Sequence, residues 1–208
     1  MRIPITILLL TAAACAAEPS KPAANDGKPP CCRAALDLGK PTDKSLYLLD
    51  STWTSDVGRQ IKLGALRGRP QIVALFFTHC EYACPILVGE LKAIEAKLPP
   101  EVLGKVDFLL VSIDSKRDTP AELAVFREKR QLARERWTLL RGAADDVREL
   151  AALLGVNYAE DARGQFAHTN VITLLNADGE IAFQHAGLKQ DPALLVVAIE
   201  QAARGAHR

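Results

Sequence analysis

The sequence lacks three features that would each point to a class of function. Its formal net charge is only +1 and no basic run exceeds a few residues, so a nucleic-acid partner is not indicated. The N-terminal apolar run, Ile3 to Leu10, is far shorter than the roughly 20 residues that a membrane-spanning helix needs. Internal repeats are also absent. What remains is enough chain for one ordinary domain, together with five cysteines.

The first residues have the composition of an export signal. Met1-Arg2 supplies a positive start, Ile3 to Leu10 is a short apolar stretch, and small residues follow it. We therefore predict a signal peptide over residues 1–17 and an exported protein. Cys15 stands where this signal ends and resembles the cysteine that becomes lipidated in bacterial lipoproteins, which would tether the protein to a membrane surface. Ordinary cleavage at an Ala-x-Ala site is the alternative.

Residues 18–42 have the composition of a flexible linker, because Pro, Ala and Lys dominate the stretch from Glu18 to Pro30. Residues 43–208 then form one domain of ordinary size with an adequate core. The linker contains the adjacent pair Cys31-Cys32, which would close a disulfide only with strain. No role is assigned to this pair.

Alternating strand and helix patterns predict an α/β fold. Gln71 to Phe77 is a near-continuous apolar run, typical of a strand buried on both faces, and apolar residues at helical spacing follow Cys84. The other predicted elements are a hairpin over Ser51 to Leu63, a buried strand over Val106 to Ile113, a helix capped by Thr119, a strand over Trp137 to Leu140, a helix over Ala144 to Leu154, a hairpin of Val171 to Leu175 with Glu180 to Gln184, and a helix from Asp191-Pro192 to Ala203. This order predicts a three-layer sandwich around a central mixed sheet with an N-terminal β-hairpin. The closing hairpin and helix are what thioredoxin-like folds show.

Two thiols lie at a predicted junction between a strand and a helix. Cys80 and Cys84 are four residues apart, a spacing that puts both on one face at a helix start, and Pro85 fits only near a first turn. The N–H groups and dipole at a helix start lower the pKa of a cysteine. Such a pair can exchange disulfides, hold a soft metal ion, or form a structural disulfide, which an oxidising compartment favours.

His168 is the candidate third member of the site. In a thioredoxin-like sheet, the loop before the closing hairpin runs beside the helix start that carries the cysteines. Thioredoxin-type redox proteins have two residues between the cysteines and a cis-proline in that loop. This chain has three intervening residues and reads Ala167-His168-Thr169. Two thiolates and an imidazole form a soft, low-coordinate ligand set suited to copper, and zinc would also fit it.

Two blocks of sequence, in this order, carry a resemblance to a known family. They are Phe77-Thr78-His79-Cys80-x-x-x-Cys84-Pro85 and Val111-Ser112-Ile113-Asp114-x-x-Arg117-Asp118-Thr119-Pro120. Both are similar to motifs of the Sco/SenC family, and the resemblance runs from about Tyr47 to Ala203. It implies a thioredoxin-like fold and a copper ion, as Cu(I) or Cu(II), held by Cys80, Cys84 and His168. Glu81-Tyr82 stands where Pro-Asp is common in the family, a change that affects the partner surface rather than the ligands.

The resemblance also implies a function, that of a copper metallochaperone that assists assembly of the binuclear copper centre of cytochrome c oxidase. Its partners would be the copper-bearing oxidase subunit and a copper donor chaperone, at the periplasmic face of the bacterial inner membrane. A thiol–disulfide reductase acting through Cys80 and Cys84 is the alternative, and it would not need His168. A peroxiredoxin-like peroxidase is disfavoured because Thr78 lies too close to Cys80. Apart from disulfide reduction, no conventional enzyme activity is indicated.

Four other residues could lie near the site or at the surface. Asp114 ends the second buried strand and either orients a ligand or caps the loop that follows. His79 is adjacent to Cys80 and is not expected to be a ligand. His185 and His207 are expected at the surface.

Overall fold

The computed structural model describes residues 41–162 and 164–206. The predicted signal, the linker as far as residue 40, the cysteines at 15, 31 and 32, and His207 lie outside the described residues. Within the described ranges, no helix is long and apolar enough to cross a membrane.

Strands and helices alternate along the described chain, as predicted. The strands are β1 (Trp53–Ser55), β2 (Gln60–Ile61), β3 (Gln71–Phe76), β4 (Asp107–Ser112), β5 (Trp137–Arg141), β6 (Tyr158–Glu160), β7 (Phe166–His168), β8 (Val171–Leu175) and β9 (Ile181–Ala186). The helices are α1 (Ala83–Lys97), α2 (Pro100–Leu103), α3 (Pro120–Arg130), α4 (Ala144–Leu153) and α5 (Ala193–Gly205), with 3-10 turns at Leu46–Leu48 and Leu63–Leu66. The ends of most predicted elements shift by only one or two residues.

A seven-stranded mixed sheet forms the centre of the domain, in the order β2-β1-β5-β4-β3-β8-β9. β3 and β5 run parallel to β4, whereas β8 is antiparallel to β3 and β1 is antiparallel to β5. Every residue of β3 is buried, so both faces of the central strands are covered, as in a three-layer sandwich. The predicted central mixed sheet and N-terminal hairpin are confirmed.

Local sequence explains the two helices nearest the site. In α1 the residues at helical spacing, Leu87, Leu91 and Ile94, are all buried against the sheet core. In α3 the side chain of Thr119 accepts a hydrogen bond from the backbone N–H of Glu122 at 3.3 Å, and a proline occupies the first helical position. The predicted cap of α3 is therefore confirmed.

The hairpin β6–β7 was not predicted. Its strands are three residues long and pair in the register Tyr158↔His168 and Glu160↔Phe166. In the turn between them, the backbone N–H of Gly164 donates to the carbonyl of Asp161, and Gly164 has φ +75°. Asp and Gly at these positions were a turn signal in the sequence, but three-residue strands are too short for a clear alternating pattern.

Residues 42–47 attach the start of the described chain to the turn between β8 and β9. The backbone N–H of Leu46 donates to the carbonyl of Gly179 at 2.9 Å, and Ser45 Oγ donates to the carbonyl of Asp178. The ring of Tyr47 covers Gly179, where an added Cβ would lie 2.5 Å from a ring carbon. Since Gln71 at the start of β3 pairs with Leu175, this attachment lies at the end of the sheet where β3 begins.

Candidate metal centre

Cys80 lies in the loop between β3 and α1, with its thiol at the start of the helix. The backbone N–H of Cys84 donates to Cys80 Sγ at 3.2 Å, and the two preceding N–H groups also bond to this sulfur. The helix begins at Ala83, so the prediction that both cysteines share a helix face was wrong. Cys80 instead accepts N–H groups that the first turn of a helix leaves without partners.

The pKa values of the two thiols are shifted in opposite directions. A hydrogen bond from the Cys84 thiol lowers the pKa of Cys80 to about 5, and N–H groups at the start of α1 add to this effect, although burial opposes it. The same hydrogen bond, together with burial, raises the pKa of Cys84 well above the usual thiol range. The metal-free reduced pair therefore holds one thiolate, on the partly exposed Cys80, and one proton, on the buried Cys84.

His168 is the last residue of β7, not part of a loop as predicted, and its ring lies beside Cys84. The Nε2 atom is 3.9 Å from Cys84 Sγ, and Nδ1 is 3.2 Å from the backbone carbonyl of Thr169. Because a carbonyl can only accept, Nδ1 is the donor in this contact, and in the neutral ring the lone pair is then on Nε2, the nitrogen nearer the sulfur. The structure thus brings His168 to Cys84 from a segment more than eighty residues away along the chain.

Aromatic packing sets the position of the hairpin that carries His168. The ring of Phe77, the residue after β3, makes edge contacts with Phe166 at 5.3 Å and with His168 at 6.3 Å between centroids. Phe77 is buried and precedes Cys80 by three residues. One ring therefore touches both the loop of the first cysteine and the strand of the histidine.

The loop between β4 and α3 supports the cysteine loop through Asp118. This fully buried carboxylate accepts hydrogen bonds from the backbone N–H and the hydroxyl of Thr78, and from Ser112 Oγ. Thr78 is two residues before Cys80, so Asp118 fixes the backbone that leads to the first thiol. The sequence placed Asp118 in the second motif block without giving it this role.

Asp114 contacts none of the three candidate ligands. Its carboxylate accepts from the side chain and the backbone N–H of Arg117, so it acts on the loop that follows β4. The guanidinium of Arg117 also donates to the carbonyl of Gly164, in the turn of the β6–β7 hairpin. Neither this Arg117 contact nor the hairpin it reaches was anticipated from the sequence.

The other two histidines among the described residues lie outside the candidate ligand set. His79 is half exposed, and its Nδ1 is 2.9 Å from the hydroxyl of Thr78. Ligand atoms of His79, Asp114 and Asp118 lie within 4.8 Å of one another, but both carboxylates already accept several hydrogen bonds, which account for the cluster. His185 lies in β9 opposite Ile172 and is half-buried, where a surface position was expected.

The low pKa of Cys80 can be measured by alkylation of the reduced, metal-free chain. Since only the thiolate reacts, the alkylation rate of Cys80 should rise through a midpoint near pH 5 and then stay level to neutral pH. A Cys84→Ala variant removes the largest cause of the shift, so its midpoint should move upwards. A wild-type midpoint near the ordinary thiol value of about 8.5 would contradict the assigned thiolate.

Comparison with known proteins identifies the family to which the sequence is similar. The sequence model of the SCO1/SenC family matches residues 41–204, a range that includes all three candidate ligands. Among curated relatives, the SCO1 protein homolog of Bacillus subtilis (strain 168) is 24% identical over 144 residues, which cover 68% of this chain and 74% of the relative.

Solved structures of low sequence identity share the fold. ScoI of Arabidopsis thaliana, crystallised with copper bound, has a TM-score of 0.63 at 19% identity, over 74% of this chain and 96% of that one. BsSco, described as a member of the Sco family of cytochrome c oxidase assembly proteins with a disulfide switch, has a TM-score of 0.66 at 22% identity, over 81% of this chain and 98% of that one. These likenesses confirm the predicted thioredoxin-like fold.

Proposed function

Since the chain belongs to the SCO1/SenC family, we propose that it binds one copper ion through Cys80, Cys84 and His168 and delivers that ion to another protein. The observation that carries this proposal is the approach of His168 Nε2 to within 3.9 Å of Cys84 Sγ, in a site where Cys80 is already held as a thiolate. Cys84 and His168 thus approach each other from two separate segments, and Cys80 contacts the backbone N–H of Cys84.

The three residues fit a copper ion in chemistry, and Cys84 and His168 also fit it in spacing. Thiolate sulfur and imidazole nitrogen are ligands that copper prefers. A first-row ion such as zinc binds thiolate at about 2.3 Å and imidazole nitrogen at about 2.0 Å, so ligand atoms 3.9 Å apart can reach the same ion. His168 has its lone pair on the correct nitrogen, because the other nitrogen donates to a carbonyl. Cys84 would release its proton when the ion binds.

The site is exposed enough for a copper ion to be bound from one protein and released to another. Cys80 and His168 are only partly buried, and the side chain of Tyr82, between the cysteines, is among the most exposed large side chains described. A partner protein can therefore approach the ion directly. We propose that the recipient is the copper-bearing subunit of cytochrome c oxidase, since a similar structure is described as an oxidase assembly protein, and that a copper donor chaperone loads the site.

The N-terminal sequence indicates where in the cell this copper transfer would occur. The export signal that the sequence predicts over residues 1–17 would bring the domain to the periplasmic face of the bacterial inner membrane. Lipidation of Cys15 would hold it at that membrane surface.

Copper titration of the reduced chain from residue 18 onwards, with Cys31 and Cys32 replaced by serine, tests the proposal. The wild-type site should bind one equivalent, followed for Cu(II) by thiolate-to-copper absorption and for Cu(I) by chelator competition. His168→Ala should weaken Cu(II) binding by more than the roughly 10–100-fold that loss of an outer contact causes, because it removes a ligand.

His79→Ala is the matched control, since His79 is also near Cys80 but lies outside the candidate ligand set. It should bind copper as the wild-type site does. A reduced wild-type chain that binds no copper, yet reduces partner disulfides whether or not His168 is present, would refute the chaperone function and leave a thiol–disulfide reductase.

A further inference from the structure

We propose that Arg117 is a positioning residue that holds His168 in place for the metal, and that Asp114 in turn holds Arg117. This inference rests on the proposed copper binding. Arg117 contacts no candidate ligand itself. It joins the loop after β4 to the hairpin β6–β7, whose last residue is His168.

The hairpin that carries His168 has little backbone support of its own. β6 and β7 form a separate two-stranded sheet with three residue pairs, and neither is hydrogen-bonded as a strand to the seven-stranded sheet. An isolated two-stranded hairpin is only marginally stable in water. The position of His168 relative to Cys84 therefore depends on side chains that fix the hairpin to the rest of the domain.

Arg117 fixes the hairpin at two points. Its guanidinium donates to the backbone carbonyl of Gly164 in the turn, and its central carbon lies 5.7 Å from the centroid of the Phe166 ring. Phe166 is two residues before His168 on the same strand, so its side chain lies on the same side of the strand as the histidine. Gly164 leaves room for this contact, because an added Cβ would lie 3.1 Å from a guanidinium nitrogen.

Asp114 makes Arg117 a rigid support. Its carboxylate is almost wholly buried and accepts both from the guanidinium and from the backbone N–H of Arg117. The backbone N–H bonds one carboxylate oxygen and Nε–H bonds the other, so the carboxylate is fixed and in turn orients the guanidinium. A lysine has a single nitrogen in place of this planar group, so it could not hold Asp114 and the Gly164 carbonyl in the same geometry. The direction of the guanidinium towards the hairpin is thus set from within the core.

The same loop also supports the cysteine side of the site. Asp118, the residue after Arg117, holds Thr78 two positions before Cys80. A hydrogen bond from the N–H of Asp118 to the carbonyl of Asp114, 3.1 Å long, closes the loop between them. Residues 114–118 therefore connect both halves of the ligand set, and Arg117 is the member that reaches the histidine.

A double-mutant cycle on Cu(II) affinity separates positioning from general destabilisation. Arg117→Ala should weaken Cu(II) binding roughly 10–100-fold, the usual effect of losing a group that orients a ligand. In a His168→Ala background the same substitution should change affinity less than about threefold, because the residue it positions is gone. Arg117→Lys should show part of the loss. An equal loss in both backgrounds, or none in either, would overturn the proposal.

Lys116→Ala is the matched control. Lys116 is next to Arg117 and also contacts the hairpin, through Glu160, but its side chain is 81% exposed and the ion pair is at the surface. Its removal should leave Cu(II) affinity within about twofold of wild type, since surface pairs contribute little. A loss as large as that of Arg117→Ala would show that the effect is not specific to Arg117 and would overturn the proposal.

Amide hydrogen exchange of the copper-free chain gives a second readout that does not depend on copper. Arg117→Ala should speed exchange in β6 and β7 by on the order of tenfold while β3 and β4 exchange as in wild type. Unchanged exchange in the hairpin would refute the positioning role. A wild-type chain that binds no copper would refute the proposed function alone, because the exchange experiment still measures how Arg117 holds the hairpin.

Discussion

Replacing Cys84 with alanine should abolish Cu(I) binding in a titration where the wild-type site binds one equivalent. Cu(I) is a soft ion that prefers sulfur, and among the described residues only Cys80 would remain to supply a thiolate. A single thiolate and an imidazole form a much weaker site than two thiolates. We expect the loss to exceed that of His168→Ala for Cu(I), because imidazole is the harder ligand of the three.

The Cys84→Ala result needs a control for packing, because Cys84 is fully buried in the first turn of α1. Val88→Ala creates a cavity one turn further along the same helix and removes no ligand. It should lower the melting temperature and still bind one equivalent of Cu(I). If Cys84→Ala retained Cu(I) affinity within tenfold of wild type, the two-thiolate site would be wrong.

Asp56→Ala should cost about 3–5 kcal/mol of unfolding free energy, the typical effect of breaking a buried ion pair by removing one partner. Asp56 and Arg127 have side chains only 5% and 3% exposed, and two hydrogen bonds of 2.6 Å and 3.1 Å join them. Without the carboxylate, the guanidinium keeps its contacts to the carbonyls of Leu132 and Trp137 but has no counter-charge. Urea unfolding of the reduced, metal-free chain measures the loss.

Asp145→Ala is the control for this ion pair, because Asp145 pairs with Arg148 on the surface. It should change stability by no more than about 0.5 kcal/mol. A loss below about 1 kcal/mol for Asp56→Ala would show that the Arg127 charge is solvated after all.

The ion pair of Asp56 with Arg127 also predicts that the unfolding free energy falls at acid pH. Burial by itself raises the pKa of Asp56, but the hydrogen bond and charge of Arg127, with help from Arg134, hold that pKa below its usual value. A carboxyl whose pKa is lowered by folding contributes stability above its unfolded value of about 3.9 and loses it as the pH falls through the lowered folded value. As the pH falls through this range, Asp56→Ala should lose less unfolding free energy than the wild type does.

The order of the main elements could be predicted because it depends on local patterns. Gln71 to Phe76 is apolar at every position but the first, which is what a strand covered on both faces requires. Thr119 and the proline after it mark a helix start by their own chemistry. Such signals need no knowledge of tertiary contacts.

The sequence named candidate members of the site and did not predict how they are arranged. The spacing of Cys80 and Cys84 indicated one helix face, whereas the helix starts between them and Cys80 accepts its N–H groups. His168 was expected in a loop because the short strands of β6–β7 leave almost no periodic signal. Arg117 could not have been assigned, since its partners Asp114 and Gly164 become neighbours only in the folded chain.

The attachment of residues 42–47 to the β8–β9 turn places the start of the described chain far from the candidate ligands. β3 begins beside this turn and runs six residues, about 20 Å, before the chain reaches the loop of Cys80. Residues 42–47 therefore lie at one end of the sheet, and the candidate ligands lie at the other. A protein that approaches Cys80, Cys84 and His168 therefore meets the end of the sheet opposite residues 42–47.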